Sequence, residues 1–257
     1  MSKLIIVIPA RKGSTRFPSK VIHPILGKPL VLWAVEGAMQ CSWADDVIVA
    51  TDDVEVKSAV ESAGFKAVMT RADHPSGTDR VWEVAREIDC DWVLNLQGDE
   101  PLITGDVLDS LAVEVMNDRG SEIEIVSLVR PLPPSEVRDP NRVKVVIDKT
   151  MNALYFSRAP IPHVKARPSD KLNEMQAPEY LLHVGLYLYR RDILEKFVSL
   201  PQSHLEKCEG LEQLRALENG IRIRCVKTDR EFLGVDTPAD VIRVETALRA
   251  RGMGGAL

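Results

Sequence analysis

The chain has 257 residues, 45% of them hydrophobic and 28% charged, and its 33 Lys and Arg against 38 Asp and Glu give a formal net charge of −5. That length suits one main domain with an appendage, and the composition is that of an ordinary soluble globular protein. The negative balance argues against nucleic-acid binding or stable membrane binding, and no apolar run is long enough to cross a bilayer.

The chain opens with "LIIVIPA", a buried strand too short and wrongly flanked for a signal peptide. "PLVLWAVEGAMQC" then puts Leu30, Ala34, Ala38 and Cys41 on one helical face. "DDVIVATDD" is a second strand, followed by a helix over about 54–63, and "KAVMT" is a third. Val81, Val84, Ala85 and Ile88 repeat at helical spacing behind Ser76 as N-cap, with Asp79 three residues later. "DWVLNLQGDEP" is the fourth strand, with a helix near 107–115. Alternating strands and helices predict an α/β fold whose central sheet is mostly parallel and covered by helices.

After Glu122 the pattern changes to strands: "IEIVSLVRP", "RVKVVID", "ALYFSRAPI" and "LHVGLYLYRR", with an irregular polar stretch at about 163–179. Helical segments are expected at about 192–199 and 206–218, then a strand "IRIRCVKT" and a closing helix "TPADVIRVETALRAR". No internal repeat or low-complexity linker is present, so 1–257 reads as a single domain with an inserted mixed-sheet arm at about 132–190. Cys41, Cys90, Cys208 and Cys225 show no CxxC spacing and no paired histidines. Neither zinc nor a disulfide is assigned, and a cytoplasmic setting is expected.

The stretch "VIPARKGSTRFPSK" crowds Arg11, Lys12, Arg16 and Lys20 into one loop after the first strand. Ligands of open parallel sheets sit beyond such strand ends, and small residues at Gly13, Ser14 and Thr15 let the backbone approach an anion. The loop is neither GxxxxGK[ST] nor GxGxxG, so its residues leave two readings open: an anion site or a solvated turn. Acidic clusters stand at expected strand ends: Asp52-Asp53, Asp99-Glu100 and Asp236. N-capping accounts for the first, while Thr237 and Pro238 make a helix start that leaves Asp236 free.

"IPARKGSTRFPSK" resembles the signature loop of sugar-acid cytidylyltransferases. "TRADHPSGTDR", "LNLQGDEP", "PNRVKVVID", "ALYFSRAPIP", "HVGLYLYRRDIL", "LEKCEGLEQLRAL" and "GVDTPADV" follow in the order of the 3-deoxy-manno-octulosonate (Kdo) cytidylyltransferase family, over about 4–248. The resemblance implies transfer of CMP from CTP to the C2 hydroxyl of Kdo, with release of pyrophosphate, for lipopolysaccharide biosynthesis. It implies a nucleotide half of Ala10, Arg11, Ser14, Arg16, Lys20, Ser76, Gly77, Arg80 and Gln97, with Arg16 and Lys20 facing the triphosphate and Arg80 bordering the cytosine. Asp99 and Asp236 match the family's Mg²⁺ aspartates, and Lys20, Asp99 and Arg16 form the implied catalytic set. His183, Tyr187, Glu212 and Gln213 would hold the sugar acid, and the resemblance implies a homodimer through the arm. Arg158 and Lys165 are candidates for the cation that meets the sugar carboxylate. Lys12 stands where Tyr is frequent in these enzymes, and His163 replaces the usual Trp. Both departures leave open whether C8 of the sugar carries a hydroxyl or an amine. The competing readings are a sialic-acid cytidylyltransferase, a nicotinamide-dependent oxidoreductase and a non-enzymic nucleotide-binding module. "LEQLR" and "YFSRAPIP" oppose the first, the missing GxGxxG the second, and the two aspartates the third.

Overall fold

A computed structural model describes residues 2–13, 17–116, 122–164 and 179–253. It divides the chain into two compact units, one formed by Met1–Arg119, Leu186–Ser199 and Glu231–Leu257, the other by Gly120–Gly185 and Leu200–Arg230. The arm expected at about 132–190 falls in the second unit up to Gly185 and in the first beyond it.

The first unit begins with β1 (Leu4–Pro9), a small hairpin of β2 (Pro24–Ile25) and β3 (Lys28–Pro29), and α1 (Leu30–Ala38). It continues through β4 (Ala44–Thr51), α2 (Val54–Ser62), β5 (Lys66–Met69), α3 (Gly77–Ala85), β6 (Trp92–Asn95) and α4 (Gly105–Met116). β1 pairs parallel with β4 and β6, and β4 parallel with β5. Leu4 through Ile8 are at most 2% exposed, so β1 is a continuous apolar run rather than an alternating one. Burial on both faces explains this, each such side chain contributing about 1.5–3 kcal/mol. The mostly parallel sheet covered by helices is the architecture predicted from the alternation of periods.

α1 is buried almost all round, and Gly37 near its end allows close packing, since a Cβ there would collide with the Ile103 carbonyl. Asp53 caps α2 by accepting from the backbone N–H groups of Glu55 and Val56, as its position before the helix predicts. Ser76 caps α3 in the same way, through Thr78 and Asp79. α3 stops at Ala85, so Ile88 lies beyond the helix although it continues the apolar spacing. The β2–β3 hairpin was not expected; its turn residues Leu26 and Gly27 have φ of 48° and 81°, the positive values that a tight hairpin requires.

The second unit contains β7 (Ile125–Pro131), β8 (Lys144–Ile147), β9 (Ala153–Ser157) and the first residues of β10 (Leu181–Arg190). The last residues of β10, α5 (Arg191–Ser199) and α8 (Pro238–Ala250) belong to the first unit, where β10 runs antiparallel to β6. α6 (His204–Glu209), α7 (Leu214–Glu218) and β11 (Ile223–Lys227) complete the second. There β11 runs parallel to β7, while β8 is antiparallel to β9 and to β10 at Leu181–Leu182, giving the mixed sheet expected of this region. The single helical segment expected over 206–218 is instead two short helices. Gly210 adopts φ 61° and ends α6, a left-handed conformation that costs little only at glycine.

Candidate active site

The acidic ends of two segments far apart in sequence meet in the first unit. The backbone N–H of Val235 donates to the Asp99 carbonyl at 3.0 Å, which docks residues 234–236 beside the turn after β6. Gly234 fits there because a Cβ would come within 3.0 Å of the Glu100 carboxylate. Asp240 of α8 accepts from the backbone N–H groups of Asp236 and Thr237 and from the Thr237 hydroxyl. The capping box of Thr237 and Asp240 thus closes the helix start without the Asp236 carboxylate, as its sequence position predicts.

Lys20 joins the two acids. Its Nζ donates to Asp99 Oδ2 at 2.5 Å, to the Val235 carbonyl at 2.9 Å and to Asp236 Oδ1 at 3.3 Å. The lysine side chain is only 13% exposed, against 26% for Asp99 and 58% for Asp236, so the cation is the most sheltered member. Two aspartates held on one positive centre are hard oxygen donors of the type and number that Mg²⁺ takes from protein when phosphates supply the rest. Among the described residues no group of three or more His, Cys, Asp or Glu could hold a metal by itself. A phosphate-completed site needs no such group.

Glu100, read in the sequence only as the acidic neighbour of Asp99 and given no role, completes this acidic corner. Its Oε2 is sealed from solvent without a hydrogen-bond partner, although the residue as a whole is only partly buried. Burial, reinforced by the Asp99 and Asp236 charges and opposed by Lys20, pushes its carboxyl up to about 8. Both causes favour its neutral form, which limits the negative charge of this corner. The signal was its place in "GDE", but burial of one oxygen cannot be read from a tripeptide.

The other nucleotide-half candidates also lie in the first unit. Ala10 is fully buried, and its N–H donates to the Ala50 carbonyl at 2.9 Å, fixing the exit from β1. A Cβ at Gly77 would meet the Pro9 ring at 3.5 Å and Gln97 Oε1 at 3.8 Å, and Gln97 Nε2 donates to Asn95 at 3.0 Å. Arg80 is 3% exposed; its guanidinium donates to Thr70 and, at 2.9 Å, to Asp52. It is thus a buried pair rather than a surface salt bridge. Arg11 is exposed, and Ser14 and Arg16 lie outside the described residues. Lys12 does not add free charge to the loop, because its Nζ contacts Glu55 at 2.6 Å and Asp53 at 3.5 Å.

Three of the four sugar-acid candidates lie in the second unit. His183 Nε2 is 3.1 Å from the Ser127 hydroxyl, and Gln213 Nε2 is 3.5 Å from His183 Nδ1. Burial holds the His183 imidazole down to about 3, so it is neutral across the physiological range. Glu212 and Gln213 lie between the two short helices, a segment braced by Arg215, which grips Glu206 through two bonds of 2.8 and 2.6 Å. That paired charge is nearly inaccessible, and its bidentate geometry suits such burial. Tyr187 belongs to the first unit, opposite Asn95 on β6 and 5.8 Å from the Tyr189 ring. Arg158 donates to the carbonyls of Glu209, Gly210 and Pro140, and it braces the backbone. Lys165 lies outside the described residues.

A family model described as Cytidylyltransferase matches residues 5–223. A 3-deoxy-manno-octulosonate cytidylyltransferase of Syntrophotalea carbinolica is 49% identical over 245 residues, 95% of this chain and 97% of that protein. One of Escherichia coli with the same name is 43% identical over 248 residues, 96% of this chain and 97% of its own. Among solved structures, a CMP:2-keto-3-deoxy-manno-octonic acid synthetase complexed with CTP is 43% identical, with a TM-score of 0.89 over 98% of this chain and all of that one.

Proposed function

The chain belongs to the cytidylyltransferase family, and from that premise we propose that it is a CTP-dependent nucleotidyltransferase that moves CMP from CTP to the C2 hydroxyl of Kdo. The sugar oxygen bonds to the α-phosphorus as the bond to the β-phosphate oxygen breaks. Pyrophosphate leaves, the hydroxyl proton is lost to water, and CMP-Kdo forms. The observation that carries this reading is Lys20 lying between Asp99 and Asp236 in a protein whose relatives carry this activity over nearly their whole length.

In-line displacement at phosphorus asks the protein for position and charge rather than for covalent chemistry. Mg²⁺ would be held by Asp99 and Asp236; when bound it would neutralise triphosphate charge. Lys20, with Arg16 and Arg11 of the same loop, supplies donors for the triphosphate, and charge-assisted bonds of that kind are stronger than neutral ones. Ala10, Ser14, Ser76, Gly77, Arg80 and Gln97 complete the nucleotide half. His183, Tyr187, Glu212 and Gln213 present a mixed polar set that suits a hydroxyl-rich acid. Neutral His183 offers hydrogen bonds but no charge, so the counter-ion of the sugar carboxylate lies elsewhere. The product feeds lipopolysaccharide assembly in the cytoplasm, and the working form is a homodimer.

Pyrophosphate release measured with each of the four NTPs against Kdo, 8-amino-Kdo and sialic acid tests this reading. Turnover with CTP and Kdo is expected to dominate. Turnover with another NTP would overturn the nucleotide assignment, and a preference for 8-amino-Kdo or sialic acid would overturn the sugar assignment.

A further inference from the structure

Arg80 lies on α3 and is 3% exposed. A charge so deeply buried is costly unless it is paired and hydrogen-bonded. Its partners come from two neighbouring strand ends. β4 and β5 pair parallel with Thr51 opposite Met69, the last residue of each. Asp52 and Thr70 follow directly, beyond the carboxyl edge of the sheet, where ligands of parallel sheets bind. Asp52 Oδ2 accepts from Arg80 Nη2 at 2.9 Å, and Thr70 Oγ1 accepts from Nη1. Thr70 is itself anchored, since its backbone N–H and its hydroxyl donate to the Thr51 carbonyl at 2.8 and 3.1 Å. The N–H donors of a guanidinium radiate in one plane, so a bond at each terminal nitrogen fixes the direction of all of them. Capping does not explain Asp52: Asp53 caps α2, and Asp52 Oδ1 is sealed from solvent without a hydrogen-bond partner. An orphaned oxygen of that kind costs stability, and such costs are kept where function needs them. All of these residues belong to the first unit.

We propose that Asp52 and Thr70 are positioning residues of the nucleotide half, holding the Arg80 guanidinium so that it meets the cytosine in one orientation. The proposal rests on the reading of Arg80 as a cytosine contact. Cytosine presents acceptors at N3 and O2, which suit a group that only donates. Arginine has much rotamer freedom, and a guanidinium fixed before CTP arrives loses no more of it on binding. Asp52 supplies the countercharge and one acceptor, and Thr70 supplies the second acceptor on the other terminal nitrogen. Neither residue need touch the nucleotide; both act through Arg80.

Calorimetry of CTP binding to the full chain without Kdo, beside kinetics with both substrates, tests this. Thr70→Val replaces the hydroxyl with a methyl group of similar size. It should weaken CTP binding and raise the CTP KM about 10-fold, the loss expected of one hydrogen bond, while KM for Kdo stays within about two-fold. Thr70→Ser keeps the hydroxyl and should bind CTP as the wild type does. Asp52→Asn, which removes the countercharge, should show the same split between CTP and Kdo as Thr70→Val. In an Arg80→Gln background Thr70→Val should add less than about two-fold, because its effect passes through the guanidinium. Wild-type CTP affinity in Thr70→Val or Asp52→Asn overturns the proposal, as does a loss in Thr70→Ser as large as that in Thr70→Val. Equal changes in the CTP and Kdo parameters, or a Thr70→Val effect undiminished by Arg80→Gln, would make these residues supports of the fold and overturn it as well. If Arg80→Gln itself binds CTP like the wild type, the reading of Arg80 as a nucleotide contact has failed instead, and the positioning role falls with it.

Discussion

Lys20, Asp99 and Asp236 show how residue types chosen for one task constrain one another. Two carboxylates near each other would repel, and the lysine ammonium offsets them from a sheltered position. Asp99→Asn and Asp236→Asn are each expected to lower kcat by at least about 10²-fold, the scale of losing one preorganised electrostatic group. Near-normal turnover in both variants at saturating Mg²⁺ would defeat the metal assignment. Lys20→Ala should impair CTP use more than Kdo binding, by roughly 1.5–3 kcal/mol in kcat/KM for CTP. A raised Kdo KM with unchanged CTP parameters would mean that the loop does not face the triphosphate. His183 gives a pH prediction. Its folded value, about 3, lies below the unfolded value near 6.5, so the folded state binds fewer protons between them. Its contribution is fully present above pH 6.5 and is lost as pH falls toward 3. Urea midpoints of His183→Gln should therefore decline less than those of the wild type between pH 6.5 and 4, and parallel declines would disprove it.

At the scale of elements, local signals settled most boundaries, and close approach settled the rest. Ser76 and Asp53 cap their helices as their spacing implies, since a cap is a contact within four residues. The split between α6 and α7 was not legible, because an amphipathic pattern can continue across a left-handed glycine. Nor was the reason for Gly105 at the start of α4: a Cβ there would collide with the Gln40 carbonyl beyond α1. Gly105→Ala should cost about 1–3 kcal/mol by overpacking against backbone that cannot swing aside. A urea midpoint within error of the wild type would refute that account.

The whole molecule is two compact units, and β10 contributes residues to both. In the second unit β9 carries Leu154 at 61% exposure, the kind of apolar group that a subunit contact would cover. Sedimentation is expected to give twice 28.6 kDa, and Leu154→Glu is expected to shift the population toward monomer. A wild type that stays monomeric at micromolar concentration would sink the homodimer. The sequence by itself determined the order and type of most elements, though not the β2–β3 hairpin or the break between α6 and α7, because apolar runs and helical periods record which side of each segment is buried. It also carried the loop, the "QGDE" and "GVDTP" segments, and hence the family. Only the tertiary structure decided which of those groups touch. Lys20 reaches Asp236 across 216 positions, Lys12 is spent on Glu55, Arg80 is buried against Asp52, and Ser127 lies against His183. Such contacts depend on how segments distant in the chain align, and a hydrophobic pattern reports the buried face of a segment without naming the partner that buries it.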